Sequence, residues 1–216
     1  MPDDMRPRRI FLLRHGVVAP NSRNRFNGLT DAPLDPYGGV QIQRAADYLE
    51  SSPPVALYAS PLSRAMESAA VIGRSFGLEV QTRDELREMN FGVFDGLSFT
   101  EIEQQYPEEM ASFYADLADY RIPEGETMSE VQRRVWPALN AIANAQQPGS
   151  SAAVVAHGAV NRLVLARALG MQLQGVIRLG QDFGCLNIID FHDGFAAVKG
   201  VNIRPGPTLP VEDFDL

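Results

Sequence analysis

Three histidines occur in 216 residues, and two of them stand in matching places. His15 closes the apolar run Ile10-Phe11-Leu12-Leu13 after Arg14, and His157 closes Ala153-Val154-Val155-Ala156. Glycine follows each, as Gly16 and Gly158. An imidazole changes charge near neutral pH, so it can serve as nucleophile, general base or donor to an anion. One strand-end histidine is more often a structural residue; two in the same local context point to chemistry. Arg14, and Arg64 in Ser60-Pro61-Leu62-Ser63-Arg64, add fixed positive charge. Arginine binds phosphoryl oxygens through its planar fork of N–H groups. With helix N-termini expected after Ser60 and His157, which favour anions, these residue types describe a pocket for a phosphate.

The elements that must position them read as alternating strands and helices. Apolar runs over 9–14, 55–59, 152–157, 186–191 and 196–203, with a shorter run over 79–82, predict strands. Asp193-Gly194 is a hairpin signal, so the last two strands pair antiparallel. Helices are expected over 37–50 and 61–76, the second with Ser60 as N-cap and Pro61 at its first position. Capping boxes at Ser98 with Glu101 and at Thr127 with Glu130 start helices near 98–106 and 127–146. A further helix follows His157 and ends at Gly170. The order implies an α/β fold: three α/β/α layers with a mainly parallel sheet and an antiparallel edge strand. Ligands of such sheets sit beyond the carboxyl ends of the strands, where Arg14, His15, Ser60, Arg64 and His157 all fall. The polar connection between Gly16 and Pro36 is long for a strand-to-helix link, which suits a functional loop.

Composition narrows the partners. Hydrophobic residues make up 45% of the chain and charged residues 21%, a globular balance. A net charge of −8 argues against a nucleic-acid footprint, so an anionic ligand needs a local cationic cluster. The single cysteine, Cys185, excludes an intrachain disulfide and reads as a buried thiol. No apolar run is long enough for a membrane span or signal peptide. The expectation is a cytoplasmic protein with no membrane partner, organised as a single domain over 1–216. That domain carries a helical insert over about 97–125 and a loose tail over 204–216.

The stretches LLRHG with RFNG, SPLSRAMESA, LREMNFGVFDGLS, PEGET and VVAHGAVNR, in this order, resemble the histidine phosphatase superfamily, the phosphoglycerate mutase-like family. The resemblance runs from about residue 10 to residue 187. It implies the phosphoglycerate mutase-like fold and roles for particular residues. His15 matches the histidine that attacks phosphorus and becomes a phosphohistidine. Arg14, Arg64 and His157 match the groups that bind the phosphoryl oxygens. Asn21 matches a phosphate-contacting asparagine, and Asn27 and Gly28 fall where the family contacts the rest of the substrate. Glu88 matches the acid that protonates the leaving oxygen and later activates water; only the motif prefers it to Glu85. An ion pair of Glu88 with Arg87 or Arg83 is the structural alternative. Gly158 would lend its N–H to the pocket.

Departures from the family pattern are Val17 for a glutamate, Pro20 for an aromatic residue, and Phe91 where mutases carry a substrate-binding tyrosine. Arg162 is family-typical but could serve only to brace the fold, and His192 reads as a turn residue. The resemblance implies a phosphatase acting on a small-molecule phosphate ester with no cofactor and no metal; a homodimer is left open. Two alternatives stand beside it: a 2,3-bisphosphoglycerate-dependent phosphoglycerate mutase, and a non-catalytic phospholigand-binding module. The insert over 97–123 is acidic and holds one basic residue, Arg121, which disfavours the mutase.

Overall fold

The computed structural model describes residues 6–206. One six-stranded sheet runs through it in the order β3-β2-β4-β1-β5-β6. The strands are β1 (Arg8–Arg14), β2 (Ala56–Ala59), β3 (Val80–Thr82), β4 (Ser151–Ala156), β5 (Leu186–His192) and β6 (Phe195–Ile203). The first four are mutually parallel; β5 runs antiparallel to β1, and β6 reverses again on β5. The expected antiparallel edge is therefore the β5–β6 hairpin, with β6 outermost. The tail expected over 204–216 lies outside the described residues from 207 onward.

Central strands buried on both faces need apolar side chains at every position, and β4 is buried from Ser151 to Ala156. Alternate residues feed two separate cores. Phe11, Leu13, Leu57, Ala153 and Val155 pack with α1 (Pro36–Leu49) and α2 (Ser63–Phe76). Ile10, Leu12, Ala152 and Val154 pack with α5 (Met128–Asn144) and α6 (Gly158–Leu169). The second core extends to the insert helices α3 (Phe99–Gln105) and α4 (Pro107–Ala115), through Ile102, Met110 and Phe113. No helix among the described residues is long and apolar enough to cross a membrane.

Several local expectations are met. Both capping boxes form, at Ser98 with Glu101 and at Thr127 with Glu130. Gly170 closes α6 in the left-handed conformation with φ 66°. Two expectations are corrected. The second helix begins at Ser63, not Pro61, with Leu62 at the N-cap position. Ser60 instead accepts the Leu62 N–H at 3.3 Å in a turn that precedes the helix. Pro fits a turn and a first helical position equally well, and the cap comes from elsewhere: Asp31 accepts from the Ser63 N–H at 3.3 Å and from its hydroxyl. His192 is the last residue of β5, paired with Phe195 and stacked on its ring at 4.6 Å, so the turn itself is Asp193-Gly194.

The turn after β1 is set by close backbone approach. A Cβ on Gly16 would lie 2.4 Å from the Gly38 carbonyl oxygen in the first turn of α1. The Gly16 N–H donates to Ser68 of α2 and the Val17 N–H to Gln41 of α1. Val17 is buried in a small cluster with Val18, Ala32 and Phe183, so its departure from the family pattern alters packing below the site. Gly16→Ala should therefore destabilise the fold by about 1–3 kcal/mol, the range for overpacking. At about 2–4 °C per kcal/mol for a chain of this size, thermal unfolding would show it; an unchanged melting temperature would contradict the close approach.

Candidate active site

The ladder between β1 and β4 sets Arg14 opposite Ala156, so the next residues, His15 and His157, leave the sheet at one level. Their ring centroids are 5.2 Å apart at an interplanar angle of 61°. His15 Nδ1 lies 2.8 Å from the Gly16 carbonyl oxygen. A carbonyl only accepts, so Nδ1 carries the proton, and the neutral ring keeps its lone pair on Nε2. Burial lowers the His15 pKa well below the ordinary 6.5, and the charges of Arg64 and Arg14 lower it further. His157 is fully buried, and neither of its ring nitrogens has a hydrogen-bond partner. Burial, then Arg64, His15 and Arg14, hold its pKa well below 6.5 as well. An unsatisfied buried polar group costs about 1–3 kcal/mol. Such groups persist where a ligand engages them.

The two arginines are held differently. Arg14 donates to the Gln181 carbonyl, and its guanidinium carbon sits 3.9 Å from the centroid of the Phe183 ring. Phe183 also flanks His15 at 5.5 Å. Gln181 is fixed by paired amide hydrogen bonds with Asn187 at 2.8 and 2.9 Å. Arg64 is buried and donates to the carbonyls of Asn27 and Gly28 at 2.7 Å each, and of Thr30 at 3.0 Å; its Nε has no partner. Asp95 grips the same loop through its other polarity, accepting the N–H groups of Gly28 at 3.0 Å and Leu29 at 2.7 Å. Arg64 thus lies behind the loop, within the electrostatic reach of both histidines.

Glu88 is buried against the first turn of α6. Its carboxylate accepts the N–H groups of Met89 at 2.9 Å, Ala159 at 3.1 Å and Val160 at 3.3 Å. The positive end of the helix dipole favours a carboxylate there. The alternative ion pairs do not form: Arg87 pairs with Asp84 at 3.2 Å, and Arg83 lies over the Tyr58 ring at 5.0 Å.

Arg14, His15, Glu88, Asn27, Phe91 and Gly158 all line one cleft of about 690 Å³, its open mouth included. Two expected substrate contacts do not. Asn21 is exposed on the 3-10 turn Pro20–Ser22 and does not itself line the cleft, although its neighbour Ser22 does. Gly28 is buried, and a Cβ there would lie 2.5 Å from the Met89 carbonyl oxygen, so close packing accounts for the glycine. Cleft residues that the sequence did not single out include Arg25, Phe26, Phe99 and Phe183. Arg25 and Phe26 fall within the RFNG stretch and could have been found there, whereas Phe183 sits in an irregular loop with no periodic signal. Arg162 both lines the cleft and braces the Leu179 carbonyl at 2.9 Å. Arg25 is held by the Gly96 carbonyl and Glu101, each at 2.7 Å. Cys185 is buried outside the cleft, its thiol pushed up to about 12 by burial. Among the described residues, no group of three or more His, Cys, Asp or Glu side chains is placed to hold a metal ion.

A family model described as the histidine phosphatase superfamily (branch 1) matches residues 10–204. The "Bifunctional protein Rv2228c" of Mycobacterium tuberculosis is 32% identical over 198 residues, which cover 91% of this chain and 54% of that protein. The chain thus spans about half the length of the first curated relatives it matches. The "Probable phosphoglycerate mutase GpmB" of Yersinia enterocolitica is 31% identical over 187 residues, 85% of each chain. Among solved structures, the alpha-ribazole phosphatase of Shigella flexneri superposes with a TM-score of 0.80 at 26% identity, covering 93% of this chain and 99% of that one. The chain belongs to the histidine phosphatase superfamily, and its fold is the three-layer phosphoglycerate mutase-like fold.

The depressed imidazole pKa values have a signed consequence. Between the folded values and 6.5, the unfolded chain binds more protons than the native one. The stability from this source is complete above about pH 6.5 and is lost as pH falls below it. Urea midpoints should drop between about pH 7 and pH 5, and imidazole nitrogen spectra should show His15 and His157 neutral in the native protein at about pH 6. Two protonated rings at that pH would contradict the site as described.

Proposed function

We propose that this member of the histidine phosphatase superfamily hydrolyses a small phosphomonoester without a metal ion, through a phosphohistidine at His15. The observation that carries the reading is the His15 imidazole: neutral, with Nδ1 locked to the Gly16 carbonyl, beside Arg14 in a cleft shared with Glu88. A nucleophilic imidazole needs that tautomer, and phosphoryl transfer needs positioning and charge neutralisation more than covalent assistance.

In the first step His15 Nε2 attacks phosphorus while the bond to the leaving oxygen breaks. Arg14 and His157, with the nearby charge of Arg64, offset the charge on the phosphoryl oxygens. Glu88 relays to the leaving alkoxide the proton that a monoanionic phosphomonoester brings with it. In the second step Glu88 takes a proton from water, whose oxygen attacks phosphorus; the P–N bond breaks and phosphate leaves. Asn27, Phe91 and Gly158 contact the substrate from the cleft wall, whereas Asn21 and Gly28 are not assigned that part.

The mutase is the second reading, favoured by the likeness to the Yersinia protein. Against it, Arg121, the one basic residue of the insert over 97–123, binds the Gly125 carbonyl and Glu130 away from the cleft. A binding module would have no use for an acid lining the same cleft as the nucleophile. We place the enzyme in the cytoplasm, with neither nucleic acid nor membrane as partner; sedimentation would decide whether it is a homodimer.

The wild-type protein should turn over p-nitrophenyl phosphate in EDTA and should not isomerise 3-phosphoglycerate when primed with the bisphosphate. His15→Ala should abolish both turnover and acid-labile labelling by substrate phosphate, and persistence of either would overturn the nucleophile assignment. Glu88→Gln should slow alkyl phosphates by about 10²–10⁴-fold, the usual worth of a general acid, and aryl phosphates less. Equal loss on the two classes would remove Glu88 from leaving-group protonation.

A further inference from the structure

Beyond the phosphate end of the cleft, the wall becomes apolar. Phe26, Phe91, Ala159 and Arg162 line the cleft and also a second, narrow recess adjoining it. The recess continues between Phe113 and Tyr114 of α4, Met128 of α5, Leu163 of α6, and Val176 and Ile177. Phe26 and Phe91 meet edge to face at 5.2 Å where the two spaces join. Two features separate this recess from ordinary core. Ile177 on its wall is 39% exposed, so the space reaches the surface. The Tyr114 hydroxyl is buried with no hydrogen-bond partner, and burial pushes its pKa up to about 12, so it stays a donor. Buried tyrosine hydroxyls usually find a partner.

We propose that this recess is the leaving-group subsite: it takes a slender apolar portion of the substrate alcohol carrying one acceptor for the Tyr114 hydroxyl. The proposal rests on the phosphatase reading for its substrate, and it narrows that substrate to esters of apolar alcohols in preference to polyols. The physical ground is the contrast along the cleft. Cations and imidazoles gather at the phosphate end, while the far end, apart from Arg162, whose Nε is held by the Leu179 carbonyl, offers aromatic and aliphatic walls. A polyol there would leave its hydroxyls without partners.

The test uses straight-chain alkyl phosphates from ethyl to hexyl, whose leaving groups have nearly equal acidity, together with the matching non-hydrolysable alkyl phosphonates. kcat/KM for the phosphates, and affinity for the phosphonates, should rise up to about fourfold per buried methylene and then level off. Ile177→Trp, which narrows the recess, should flatten both series, each compared with its own ethyl member so that a general loss of activity cancels. A keto oxygen walked along the hexyl phosphonate chain should tighten binding at one position, and Tyr114→Phe should remove that gain. Turnover with no dependence on chain length would overturn the subsite and leave the phosphatase standing. A phosphonate series that steepens without any turnover would keep the subsite and overturn the phosphatase. If Ile177→Trp does not fold, the wild-type series decides alone.

Discussion

In the ladder between β1 and β4, Arg14 pairs with Ala156 and Leu13 with Val155. That register carries His15 and His157 out of the sheet side by side, although 142 residues separate them in the chain. Side chains alternate faces with a period of two, so a slip by one residue would turn each imidazole to the wrong side of the sheet. The register is held because β1 and β4 are buried on both faces by two different cores, and neither strand can shift without exposing both. Gly16 interlocks with Gly38 immediately afterward and fixes the direction in which the chain leaves.

Electrostatics then decides the chemistry available at that point. The protein carries a net charge of −8, yet its site gathers Arg14 and Arg64 around two buried imidazoles. Burying like charges together is unfavourable, and the histidines answer by staying neutral. The arginines answer with local acceptors: Arg14 on a carbonyl and an aromatic face, Arg64 on three loop carbonyls. Carboxylates of Glu88, Asp31 and Asp95 act on Arg64, and a phosphoryl group would add negative charge on the cleft side, where charge-assisted hydrogen bonds are strong.

The sequence made the sheet and its histidines legible because apolar runs and their terminal residues are local signals. The capping boxes at Ser98 and Thr127 were legible for the same reason: all their parts lie within four residues. What stayed hidden depends on distant partners. The start of α2 moved to Ser63 because Asp31, from another loop, caps it. Asn21 matched a motif yet lies outside the cleft, while Phe183, without a motif, supports both Arg14 and His15. Glu88 was distinguished from Glu85 only by resemblance; the physical distinction, three backbone N–H groups around its carboxylate, exists only after folding.

The seat of Glu88 bears on motion as well as on placement. Two of the N–H groups that hold it belong to the first turn of α6, the helix whose N-cap residue is His157. The carboxylate and the second imidazole are thus fastened to the same end of one rigid rod. A displacement of α6 carries both together, so their separation does not depend on the long loop that follows β1. A substitution at the mouth of the cleft can therefore leave the spacing between Glu88 and His157 unchanged.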